Sequence, residues 1–136
     1  MKIKALGLAC IAASMYAIPV YAHHSFAMFD AEKSATISGT VKEFQWTNPH
    51  AWIMLDVAKE GEAAPATWAV EMGGPAGLAR QGWKPKTLTP GMPVSVTIHP
   101  LRDGTNGGQF MSITLPDGTK LGAGAGQVAQ PGAAQN

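Results

Sequence analysis

The chain has 136 residues, with ten Lys and Arg against nine Asp and Glu, a formal net charge of +1. A balance so close to neutral leaves no electrostatic footprint for nucleic acid or anionic lipid. The single cysteine, Cys10, excludes an intramolecular disulfide, and the length suits one domain rather than two.

Met1 to Ala22 reads as a secretory signal peptide. Lys2 and Lys4 form its charged start, Ala5 to Ala17 is uncharged and mostly apolar, and Val20-Tyr21-Ala22 carries the small residue before a cut. The apolar part falls short of the roughly 20 residues that a bilayer span needs. Cleavage after Ala22 is expected, giving a periplasmic chain that begins at His23 and has no membrane span. Lys2, Lys4 and Cys10 go with the leader, so eight basic side chains face nine acidic ones and no thiol remains.

His23 to Ser34 has no clean period and reads as an arm held on the domain by Phe26, Met28 and Phe29. From Ala35 to Trp46, Ile37, Gly39 and Val41 alternate with Thr36, Ser38, Thr40 and Lys42, the period of a half-buried strand. The alternation slips at Glu43-Phe44, which predicts a bulge, and Gly39 lets the strand curl. Thr47-Asn48-Pro49 is a turn.

His50 to Val57 is the second strand, with Ile53, Leu55 and Val57 on one face and His50, Trp52, Met54 and Asp56 on the other. Lys59 to Pro65 is a loop, and Thr67 to Met72 is a third strand. Pro75 opens a short helix over Ala76 to Gln81. After a turn at Leu88 to Gly91, a fourth strand points Val94, Val96 and Ile98 inward and Ser95, Thr97 and His99 outward.

Leu101 to Gly108 is a hairpin loop rich in Asp, Asn and Gly. Gln109 to Leu115 is a fifth strand, expected to point Met111, Ile113 and Leu115 inward. Asp117-Gly118 allows Thr119 to Leu121 to fold back. Gly122 to Asn136 has too little bulk to order itself and is expected to be a disordered tail.

Five strands with a short helix between the third and fourth predict an all-β domain over residues 35–121. The expected fold is a small five-stranded barrel of the oligonucleotide/oligosaccharide-binding (OB) type. A small β-sandwich is the competing arrangement.

Three stretches have a further likeness: His23 to Asp30, Gly39 to Ile53 with its Thr-Asn-Pro-His core, and His99-Pro-Leu-Arg-Asp-Gly104. Together they resemble a family of small exported bacterial proteins known as domain of unknown function 6152. The likeness covers roughly His23 to Leu121. It implies a periplasmic location and a single small β domain, and it implies no activity.

His23 and His24 are the sharpest chemical feature. A terminal His offers its α-amine and ring Nδ1 as a chelating pair, a second imidazole adds a third nitrogen, and such a set suits Cu(II). Copper, or another transition metal, is therefore the candidate cofactor, with His99 and His50 as candidate further ligands. A strand of about eleven residues at ~3.3 Å each separates His50 from His99 by ~30 Å before curling. Convergence of all four histidines is not expected. The plain alternatives are a polar outward residue at His99 and a turn histidine at His50.

Methionines with histidine suit Cu(I), but Met28, Met54, Met72, Met92 and Met111 form no sequence cluster, and core packing explains most of them. Phe44, Trp46 and Trp52 form either an open aromatic platform for a small ligand or partner protein, or the closure of one barrel end. No catalytic residue emerges. The serines lack a nucleophile-elbow context, the acids form no paired motif, and the Gly-rich loops lack the Lys and Ser/Thr of a phosphate loop.

Overall fold

A computed structural model describes residues 27–122. The expected leader, the residues 23–26 of the arm, and all of the expected tail after Gly122 lie outside the described residues.

Six strands and one helix follow in the order β1 (Ala35–Gln45), β2 (Trp52–Val57), β3 (Ala66–Glu71), α1 (Pro75–Arg80), β4 (Pro93–Pro100), β5 (Gly107–Thr114) and β6 (Lys120–Gly122). β1 is long enough to serve two neighbours, pairing antiparallel with β2 through its second half and with β4 through its first. β3 pairs antiparallel with β2, and β5 with β4. A short parallel ladder of Ala69, Val70 and Glu71 against Gly107, Gly108 and Gln109 joins β3 to β5 and closes the sheet. The result is a five-stranded barrel with its helix between β3 and β4, as the alternating pattern predicts. A sandwich would leave the β3 and β5 edges apart.

Closure needs curl. A Cβ on Gly39 would come within 2.7 Å of the Asp56 carbonyl oxygen, so β1 passes β2 there at a distance only glycine allows. The register of β1 against β2 shifts between Val41 and Glu43, close to the expected bulge.

The inward faces meet in a core of Val41, Ile53, Leu55, Val70, Val96, Ile98 and Ile113, each under 2 % exposed. Pro75 opens α1, and Leu78 with the following Trp83 and Leu88 seals one end. Trp83 packs edge-on against Phe110, with ring centroids 5.5 Å apart.

One inward residue differs from expectation. Phe110, 4 % exposed, fills the core where Met111 was expected, and Met111 is only half-buried. The ladder runs Ile98 to Phe110 and then Thr97 to Ser112, so Met111 is the extra residue of a bulge. A one-residue slip exchanges the two faces.

The described part of the arm lies on β4's exit. Phe29 bridges Leu101 and is 4 % exposed, while Met28 stays 49 % exposed and does not pin the arm. Backbone bonds from Asp30 to Pro100 and from Arg102 to Met28 complete the attachment. Asp117 accepts a bond from the Thr119 amide, and the chain turns back into β6.

Candidate functional site

The outer face of the barrel carries the chemistry, because the inner face is filled with apolar side chains. Paired residues on neighbouring strands point to the same face, so the ladders themselves assemble the candidate groups. Trp52 stands opposite Glu71, Glu71 opposite Gln109, and Gln109 opposite His99. A second row beside it runs from Met54 to Ala69 to Gly107.

His50 belongs to the first row through its side chain. The turn at Asn48-Pro49, a cis peptide, brings the chain round into β2, and Ala51 is fixed by backbone bonds to Gly73 and Met72. From there the His50 ring sets Nδ1 against the Glu71 carboxylate. The side chains are 33 % and 11 % exposed, so the pair is largely shielded from water. Nδ1 is buried against the carboxylate without hydrogen-bond geometry, so Nε2 is the ring nitrogen left open, and a neutral ring with its proton on Nδ1 keeps its lone pair there. A carboxylate behind Nδ1 is the usual support of a metal-binding histidine.

His99 is held in a similar way. Its Nδ1 lies 2.7 Å from the Lys33 carbonyl oxygen, which only accepts, so Nε2 again keeps the free lone pair. The count of ~30 Å along β1 overlooks the shorter route through the closing ladder. Glu71 and His99 both stand opposite Gln109, which separates them by two strand spacings, roughly 10 Å. His50 and His99 therefore belong to one side of the barrel without meeting. Among the described residues, no three His, Cys, Asp or Glu side chains gather to hold a metal ion. His23 and His24 lie outside the described residues.

The three aromatic candidates separate. Phe44 packs edge-on against Trp46 at 5.7 Å and tilts against the buried Trp83 at 6.0 Å, so Phe44 and Trp46 belong to the barrel-end packing. Both rest on the core. Trp52 is half-buried but outside that packing, and so is Met54. Sequence reasoning placed Trp52, Met54 and His50 on one face. It missed Glu71, whose part depends on a cross-strand register that no local pattern reveals.

Fold and face together define a small closed β-barrel of OB-like topology with a His–carboxylate pair and a lone tryptophan on its outer surface. A family model described as "Family of unknown function (DUF6152)" matches residues 10–110, and the chain belongs to that family. No curated protein and no solved structure matches the chain. No helix among the described residues is long and apolar enough to cross a membrane.

Proposed function

We propose that the chain is an exported, periplasmic binding protein that takes a transition metal, copper first, and is not an enzyme. The leader-like start and the His23–His24 pair exposed by a cut after Ala22 support this reading. The single observation that carries it is the contact of His50 Nδ1 with Glu71, which leaves Nε2 ready to accept a metal. The amine and rings at His23 and His24 supply nitrogens suited to Cu(II), and His99 is a further candidate by the same Nδ1 argument.

The test compares Cu(II) affinity of the chain that begins at His23 with that of a chain bearing one extra N-terminal residue. The extra residue moves the amine away from the first ring. Weaker binding by the extended form is the expected result, and equal affinities exclude the amine ligand.

A second reading has one observation in its favour, the outward and half-buried Trp52. On that reading the surface around Trp52 holds a small ligand or periplasmic partner without metal, while Trp46 and Phe44 support the barrel end. Tryptophan fluorescence that shifts with such a ligand and not with copper favours it. Full binding by a Trp52→Ala protein removes it.

A further inference from the structure

We infer that the outer face of β2 is a Cu(I) site of its own, built from His50 Nε2 and the Met54 thioether with the Trp52 indole beside the ion. The inference rests on the copper reading above for the identity of the metal alone. It needs neither His23 nor His24.

Three observations carry it. The first is orientation: the Glu71 carboxylate occupies Nδ1 of His50, so the ring can bind an ion only through Nε2. The second is placement. Glu71 is the direct cross-strand partner of Trp52, and Met54 stands opposite Ala69, one pleat along the same face. Met54 is thus the diagonal neighbour of Glu71, at the ~7–8 Å spacing that a long side chain spans. The His50 ring rests on Glu71, and the flexible thioether can swing toward it.

The third observation is that core packing does not account for these side chains. Ile53 and Leu55, with no exposed surface, fill the inward positions on either side of Met54. Met54 and Trp52 are half-buried on the opposite face and do not rest on the core. The opposing residue at Ala69 is small, while Leu101 covers Gly107 beyond it, its Cδ1 3.0 Å from where a Cβ would stand.

The donor set selects the ion. A thioether is a soft ligand that favours Cu(I) over Zn(II), and an imidazole accepts either. An indole face attracts a nearby cation and shields it from water. A nitrogen, a sulfur and a π-face together suit a monovalent soft ion. They offer a hard divalent ion little, since Glu71 is engaged by His50, and Glu43, which stands opposite Met54 on β1, accepts from Gln45 Nε2.

The test uses the full exported chain, both beginning at His23 and with the one-residue N-terminal extension. Cu(I) is kept reduced with ascorbate under nitrogen and titrated in competition with a coloured Cu(I) chelator, with tryptophan emission recorded throughout. Both forms are expected to bind one Cu(I) with quenching, and Zn(II) is expected not to displace it. Met54→Leu keeps the side chain's volume and removes the sulfur, and His50→Gln removes the ring. Each is expected to weaken Cu(I) binding at least about tenfold, the least that loss of even a supporting group costs. Trp52→Phe is expected to abolish most of the quenching.

Unchanged Cu(I) affinity in Met54→Leu overturns the site, as does failure of both chain forms to bind Cu(I). Equal Cu(II) affinity of the two forms, with Cu(I) binding intact and sensitive to Met54, removes the N-terminal chelate and leaves the strand site standing. Cu(I) binding that the N-terminal extension alone abolishes places the ion at the terminus and overturns the strand site.

Discussion

Glu71 on β3 and Gln109 on β5 stand side by side in a parallel ladder of three residue pairs, and this ladder turns an open sheet into a barrel. The same contact brings the His50 end of the molecule and the His99 end into one register row. The contact that closes the barrel therefore also sets the spacing between the two histidines, which makes the ladder sensitive to a small change.

Gly108 sits in the middle of that ladder. A Cβ there would stand 2.5 Å from the His99 carbonyl oxygen and 2.7 Å from Ile98 Cδ1. Backbone cannot yield as a flexible side chain does, so Gly108→Ala must push β4 from β5. Overpacking of this kind costs about 1–3 kcal/mol, with more where backbone has to move. Urea denaturation of Gly108→Ala should show a midpoint lowered accordingly, whereas Gly77→Ala, whose Cβ meets nothing nearer than 3.9 Å, should not lose stability.

Much of this was legible in the sequence, and the reason is local. Val94, Val96 and Ile98 alternate without interruption, and so do Ile53, Leu55 and Val57, so period two sufficed for β4 and β2. The pattern failed at Met111 because a bulge is specified by the partner strand, which a single run of residues does not contain. Glu71 stayed hidden for the same reason: on its own strand it is an ordinary acid between Val70 and Met72. Phe44 and Trp46 looked equally suited to packing and to binding until Trp83, nearly forty residues away, was seen against Phe44.

Ile53 tests the core itself. It has no exposed surface and lies centrally among the inward residues of β1, β2 and β3. Truncation to Ala removes three carbons and leaves a cavity, for which about 2–5 kcal/mol is the usual loss. Chemical denaturation of Ile53→Ala should show that loss with an unchanged slope. A slope that falls together with the midpoint would mean that the barrel no longer unfolds as one unit.

The arm supplies a pH dependence. A hydrogen bond from Lys33, whose Nζ lies 3.2 Å from Oδ2, is the leading cause that holds the Asp30 carboxyl below its ordinary 3.8, and Arg102 adds to it. A carboxyl lowered in the folded state stabilises that state fully above its unfolded value. The contribution disappears as pH falls through the folded value. Asp30→Asn should therefore melt below the parent at about pH 6, and the gap should vanish near about pH 2. A gap that persists in acid would show that Asp30 acts through something other than its charge.

The last expectation concerns Glu71 and needs no metal for its first half. Neutral His50 should carry its ring proton on Nδ1, since the carboxylate it faces can only accept. Nitrogen-15 spectra of the neutral imidazole distinguish the two tautomers, and a proton on Nε2 would contradict that orientation. Glu71→Gln preserves size but removes the charge that makes the imidazole a better donor. Loss of such a supporting carboxylate costs metal affinity on the order of ten- to a hundredfold. Thr67→Ala, which alters the same strand face at its exposed Lys42–Asp56 end, should leave affinity unchanged. If both variants bound copper as the parent does, His50 would be a structural partner of Glu71 and nothing more.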